Sequence, residues 1–231
     1  MASENRLWGA ERIRGELLKL GLRVSKRTIQ KYVAKMPRPA GQSWSTFLKH
    51  HAPDIWACDF TVVFDLLFGP LYIFIVMELG TRRLVHAAVT ASPTDDWTAQ
   101  QLREATPWGR APRYLIRDRD TKYGQRFSRV AATSGIKLLK TPYRAPRANA
   151  YCERLIGSLR RECLDYLLVL HSRQLQHHVS EFVAYYNHSR PHQGIDQRVP
   201  ADLGRHALPT RGKITSVPVL DGLHHSYKRV A

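Results

Sequence analysis

Residues 55–63 read Ile-Trp-Ala-Cys-Asp-Phe-Thr-Val-Val, and residues 71–78 read Leu-Tyr-Ile-Phe-Ile-Val-Met-Glu. Both are short runs of β-branched, aromatic and aliphatic side chains bounded by turn residues, which is the composition of a strand. A third such run, Leu84–Ala91, follows a turn at Gly80. Beyond it the pattern alternates. Residues 94–105 are expected to be helical, Tyr114–Arg117 a short buried strand, 126–134 a helix and Ile136–Leu139 another strand. Three early strands followed by alternating helix and strand predict an α/β domain, a mixed sheet with helices on both faces. Further helices are expected at 149–165 and 172–187, the second with Leu175, Val179, Phe182 and Tyr186 as its apolar stripe. Val217–Leu220, Asp221-Gly222 and His224–Arg229 predict a β-hairpin in the tail, residues 206–231.

Upstream of the strands, residues 8–36 predict two short helices around a tight turn. Ile13, Leu17 and Leu20 recur at helical spacing, Gly21 stops the first helix, and Ser25 caps the second. Ile29, Val33 and Met36 then form a buried stripe, leaving Lys26, Arg27, Gln30 and Lys31 outside it. A polar, basic face on the second helix of such a pair is what insertion into the DNA major groove requires. Residues 1–36 are therefore expected to be a helix-turn-helix DNA-binding segment. Residues 37–53, with Pro37, Pro39, Gly41 and Pro53, are expected to be a linker containing one short packed segment around Trp44 and Phe47. The core is expected at 54–205.

The charge narrows the class of partner. Lys and Arg number 36 against 19 Asp and Glu, a formal net charge of +17. Such an excess points to a polyanion, and nucleic acid fits best, because each phosphate neutralised releases condensed counterions. No basic amphipathic helix with one apolar face stands out for a membrane surface, and no apolar run reaches the ~18 residues of a span. The three cysteines, Cys58, Cys152 and Cys163, form no CxxC pair and no even framework, so neither a disulfide scaffold nor a cysteine-rich zinc site is expected. The N-terminus leads into a polar helix rather than an apolar signal segment, and a cytoplasmic protein, nucleoid-associated when bound to DNA, is expected.

Three acids occupy places where a carboxylate needs a reason. Asp59 lies inside an apolar strand, where desolvation is costly unless a cation or solvent meets it. Asp118 directly follows the strand Tyr114–Arg117, and strand ends are where α/β sheets bind ligands. Asp120 lies in the turn just beyond. Glu153 is near the start of a helix. Stepping at 100° per residue puts Cys152, Leu155, Ile156, Leu159 and Cys163 on the core face, with Glu153 and Arg160 together on its edge, about 10 Å apart.

The surroundings of these acids resemble a known family. Trp56-Ala57-Cys58-Asp59-Phe60-Thr61 looks like the W-x-x-D-x-T of the integrase core shared by retroviral integrases and many bacterial insertion-sequence transposases. Residues 146–154, Pro-Arg-Ala-Asn-Ala-Tyr-Cys-Glu-Arg, resemble its P-x-x-N-x-x-x-E-R, and residues 186–192, Tyr-Asn-His-Ser-Arg-Pro-His, its Y-N-x-x-R-P-H. Between Asp118 and Glu153 stand 34 residues, next to the spacing typical of the family. Two positions depart from the pattern, Asp120 and Ala150, where the family has small residues or Gly.

The resemblance implies an RNase H-like fold and a DNA transposase or integrase. Asp59, Asp118 and Glu153 would be catalytic and would hold two Mg²⁺ or Mn²⁺ ions, and in-line phosphoryl transfer would cleave and join transposon ends. Asp118 is the preferred second ligand, with Asp120 the alternative. The implied partners are DNA, both transposon ends and target, and other copies of the chain in a homo-oligomer on DNA. Besides α-helical contacts at Lys26, Arg27, Gln30 and Lys31, DNA-binding residues are expected at Arg144 and Arg147, in a Pro-bounded loop with Tyr143, and at Arg160. Two rivals stand beside this reading: a transposon-derived DNA-binding protein that no longer cuts, and an RNase H-type nuclease that only hydrolyses. Related transposases often carry more DNA-binding sequence ahead of the helix pair, so a fragment or one reading frame of a longer enzyme is also an expectation. Asp65, Asp95 and Asp96 are expected to serve turns or caps, His192 to fix a loop, and His177, His178, His224 and His225 to lie on the surface.

Overall fold

Strand β1 (Ile55–Phe64) lies at the centre of a five-stranded sheet of order β3-β2-β1-β4-β5. The structure is a computed structural model and describes residues 1–2, 4–5, 8–34, 44–107, 110–141, 149–203 and 212–230. β2 (Pro70–Glu78) and β3 (Leu84–Thr90) run antiparallel as a meander from β1. On the other side of β1, β4 (Tyr114–Arg117) and β5 (Lys137–Lys140) are parallel.

Alternation along the strands feeds two cores. Ile55, Ala57, Ile73, Ile75 and Ile116 face one way and pack with Cys152, Leu155 and Leu159 and with Leu175, Val179 and Phe182. Trp56, Cys58, Phe74, Val76 and Leu115 face the other way, against Ala99, Leu102, Phe127 and Val130. The first layer contains α6 (Ala150–Glu162) and α7 (Ser172–His188), and the second α4 (Asp95–Ala105) and α5 (Gln125–Thr133). This is the mixed sheet with helices on both faces that the sequence predicts.

Residues 1–43 and 44–231 form separate packed units. In the first, α1 (Ala10–Lys19) and α2 (Lys26–Ala34) bury Ile13 and Ile29. Gly21 has φ +78° and turns the chain after α1, and Ser25 Oγ accepts the Thr28 N–H at 3.1 Å to cap α2. Leu20, expected on the buried stripe, is instead 63% exposed, because α1 ends at Lys19 and the chain has already begun to turn. Met36 lies outside the described residues.

Within the expected linker, the short packed segment around Trp44 and Phe47 is a helix. Residues 44–51 form α3, whose Leu48 is buried in the sheet core. Phe47 meets the Tyr114 ring edge-on at 5.4 Å. The packed unit thus starts at Trp44 rather than at residue 54, since Leu48 joins the sheet core and Trp44 and Phe47 pack against it. At the other end, β6 (Lys213–Val219) and β7 (His224–Val230) form the expected hairpin. It is docked on the helices: Leu220 is buried, and His224 Nε2 donates to the Glu162 carbonyl at 2.7 Å while stacking on Tyr185. His224 was expected at the surface; only its long-range partners reveal otherwise.

Candidate active site

β1 pairs in parallel with β4 from Ile55–Tyr114 through Ala57–Ile116. Asp59 and Asp118 each lie two residues beyond the last pair of this register. Asp59 continues the parity of Ala57 and so points to the face covered by α6, in whose first turn Glu153 stands, while Asp118 directly follows the end of β4, near enough for its charge to act on Asp59. β4 ends at Arg117, while β1 runs on to Phe64. Asp59 therefore sits where its parallel neighbour stops, at the open end of the β1–β4 pair.

Asp59 is held from two sides. Its Oδ1 accepts the Phe60 N–H at 2.8 Å, and its Oδ2 accepts from Asn149 Nδ2 at 3.0 Å. Asn149 also donates to the Cys58 carbonyl at 3.3 Å. Burial, together with the charges of Asp118 and Glu153, pushes the Asp59 carboxyl up to about 6, against the lowering effect of these hydrogen bonds. Three oxygen-bearing acids whose charges oppose one another are a donor set suited to a hard divalent cation. Among the described residues the three do not form a set with one ligand atom each all within 4.8 Å. Glu153 is exposed.

Asp120 has other employment. It accepts from the Lys122 backbone N–H at 3.0 Å and pairs with the Lys122 ammonium, and these contacts overcome the effect of burial and hold its carboxyl below the ordinary value. Asp118 instead accepts only the Asp120 N–H at 3.1 Å among the described side-chain contacts.

The expected DNA-contacting residues fall into three groups. Lys26, Arg27, Gln30 and Lys31 are all exposed on α2, with the Lys26 ammonium 3.2 Å from Glu11. Arg144 and Arg147, with Tyr143, lie outside the described residues. Arg160 is exposed, but its guanidinium donates to the Thr61 hydroxyl at 2.7 Å and the Val62 carbonyl at 2.8 Å, tying α6 to β1.

Sequence reasoning missed what the motif asparagines do. Asn149 orients Asp59, and Asn187 accepts the Leu84 N–H at 2.9 Å and donates to the Leu84 carbonyl at 2.8 Å, joining α7 to the start of β3. Arg190 makes a two-pronged ion pair with Glu162, both contacts at 2.6 Å. Burial lowers the basicity of His192, whose Nε2 donates to the Tyr186 carbonyl at 3.0 Å. The 186–192 motif thus braces the end of α7 against α6. Unforeseen too is a recess on the other side of α6, lined by Arg82, Arg154, Arg161 and Arg190, with Tyr151 beneath the Arg82 guanidinium at 4.0 Å.

Residues 134–200 match the integrase core domain family, a span holding Glu153 and the 186–192 motif. Over 193 residues the chain is 27% identical to an uncharacterized 39.2 kDa protein of insertion element IS476 from Xanthomonas euvesicatoria. That match covers 82% of this chain and 55% of the relative, so the chain spans about half the length of this curated relative. Among solved structures, the HTLV-2 integrase catalytic core in complex with magnesium superposes with a TM-score of 0.53 at 14% identity, covering 65% of this chain and 95% of that one. A chain of a simian T-cell lymphotropic virus intasome in complex with PP2A regulatory subunit B56 gamma gives 0.56 at 16% identity, covering 93% of this chain and 82% of that one. These likenesses establish the RNase H-like fold of the retroviral integrase core, and beside them stand the integrase core domain match over residues 134–200 and the similarity to the insertion-element protein.

Proposed function

We propose that the chain catalyses DNA strand transfer, cleaving transposon ends and joining them to target DNA, with Asp59, Asp118 and Glu153 as the metal-binding acids. The observation that carries this reading is Asp59 itself, a half-buried acid at the open end of the β1–β4 pair, within reach of the charges of Asp118 and Glu153, its carboxyl raised to about 6. Oxygen donors of this kind suit Mg²⁺ or Mn²⁺. When bound, two such ions would supply Lewis-acid activation of the attacking oxygen and charge stabilisation of the leaving one. Asn149 fixes the rotamer of Asp59, and the Lys122 pairing keeps Asp120 out of the site. Exposed Glu153 has the freedom to adjust as substrate enters.

DNA as substrate is supported by the excess of 36 basic over 19 acidic residues and by the basic faces of α2 and α6. Joining two ends to one target brings at least two active sites together, so the working form is a homo-oligomer on DNA.

The test is cleavage and joining of the DNA flanking the chain's own coding region, with Mg²⁺ or Mn²⁺. Asp59→Asn and Glu153→Gln should each abolish both steps while leaving DNA binding largely intact. Binding without cleavage by the wild type would favour a DNA-binding relic, and nicking without joining a simple nuclease. Near wild-type turnover in either variant would refute the site.

A further inference from the structure

A second set of metal-ligating groups lies far along the chain from the acids at the strand ends. His178 and Glu181 stand three residues apart on α7 and so share a face of that helix. Asp221 occupies the turn between β6 and β7. One ligand atom from each residue can be chosen so that all three lie within 4.8 Å of one another. His178 Nδ1 is 3.7 Å from Glu181 Oε2, and His177 Nε2 is 3.8 Å from Glu181 Oε1.

Two observations separate this cluster from an ordinary surface ion pair. Glu181 Oε2 is shut off from solvent and has no hydrogen-bond partner, an expensive condition for a carboxylate oxygen. His178, 15% exposed, also borders a recess of about 340 Å³ that Asp221, Cys163 and Tyr166 help to line. Nor is the approach of Asp221 accidental. The residue before it, Leu220, is buried in the core, and His224 is anchored to Glu162 and Tyr185. The turn is thus pinned on both sides of the carboxylate that it presents to α7.

We propose that His178, Glu181 and Asp221 form a zinc site that clamps the β6–β7 hairpin to α7. An imidazole nitrogen with two carboxylates suits Zn²⁺ in a four-coordinate shell, whereas Mg²⁺ favours an octahedron of oxygens. Zinc–ligand bonds of about 2.0–2.2 Å put tetrahedral ligands roughly 3.4 Å apart. The His178–Glu181 spacing is already close to that, and the exposed Asp221 side chain makes the remaining adjustment. Water or His177 takes the fourth position. The two carboxylates balance the charge of the ion, so the site is neutral when filled. This inference is independent of the strand-transfer reading.

Because zinc would also bind the acids around Asp59, the experiment uses the full chain carrying Asp59→Asn and Glu153→Gln, stripped with a chelator. Titration with Zn²⁺ by calorimetry at pH 7.5 is expected to show one equivalent bound, with a rise in melting temperature of several degrees. Added Asp221→Asn, in an exposed turn where Asn accepts the same positive φ of 53°, should fold normally. It should weaken zinc binding at least tenfold and remove most of the thermal gain. His178→Ala should do the same, and Asp165→Asn, a control, should do neither. Absence of saturable zinc uptake, or uptake and thermal gain unchanged by Asp221→Asn and His178→Ala, would overturn the proposal.

Discussion

Asp59 is the residue at which fold and chemistry conflict most openly. Its ordinary value of 3.8 is raised to about 6, first by burial and then by the charges of Asp118 and Glu153. An acid whose folded value is raised holds its proton between pH 4 and 6, where the unfolded chain has released it. Folding therefore binds protons in that window, and stability falls as pH rises through it. Above pH 6 the metal-free protein bears the full penalty of the charged form, up to about 3 kcal/mol from the size of the shift. Asp59→Asn removes that penalty. In chelator, the variant should melt higher than the wild type at pH 7.5, and the difference should shrink to nothing near pH 4. Saturating Mg²⁺ should narrow the difference at pH 7.5 by stabilising the wild type alone. Equal melting temperatures in chelator across the whole range would mean that Asp59 is not electrostatically strained. At the same scale, the sequence favours Asp118 over Asp120 as second ligand by its place directly after a strand. What the sequence does not show is Lys122, two residues beyond Asp120, whose side chain folds back onto it.

At the scale of elements, a second acid works through backbone rather than metal. Asp95, in the first turn of α4, accepts N–H bonds from Gly124 at 2.9 Å, Arg126 at 2.8 Å and Phe127 at 3.0 Å. It therefore caps the N-terminus of α5 from another helix. The contact is so close that a Cβ on Gly124 would lie 2.5 Å from Asp95 Oδ2, which accounts for the glycine. Burial acts to raise the Asp95 carboxyl, but the three N–H donors outweigh it and hold it below 3.8. The stability it contributes is present above 3.8 and is lost as pH falls through the lowered value. Asp95→Ala should cost about 1–2 kcal/mol at neutral pH, as loss of a helix cap does. The wild type and variant should converge as the pH falls through that lowered value, as followed by thermal melts. A constant difference down to pH 2 would show that packing, not the charged cap, is responsible. The sequence marks Asp95 as a cap but not which helix it caps, because the α4–α5 contact spans some thirty residues. The same limit explains most of what was illegible. Periodicity places Cys152, Leu155 and Leu159 on the buried face of α6 and leaves Glu153 and Arg160 outside, as found. It cannot show that Arg160 reaches Thr61 and Val62, or that Asn149 and Asn187 find partners ninety and more residues away. Strand and helix order follow from local composition; the polar ties between layers do not.

For the molecule as a whole, the basic excess is spread over both packed units. Residues 1–43 alone carry ten Lys and Arg against three Asp and Glu. On α2 that charge is not uniform. Arg27 and Lys31 are exposed and make no described ion pair, while Lys26 already faces Glu11 at 3.2 Å. If α2 meets DNA phosphates, each contact made by a free cation releases counterions and steepens the fall of affinity with salt. Arg27→Ala and Lys31→Ala should each flatten the log–log slope by about 1. Lys26→Ala should change it by clearly less, because its charge is partly balanced before DNA arrives. All three positions are exposed, so the substitutions should leave the melting temperature within a degree or so. Affinity for end DNA, measured by anisotropy between 50 and about 300 mM salt, distinguishes the possibilities. A slope unchanged in both Arg27→Ala and Lys31→Ala would make the basic face of α2 a solvated surface and leave DNA binding to the residues 44–231 unit. A reduction as large in Lys26→Ala as in the other two would instead show that the Glu11 pairing breaks when DNA binds.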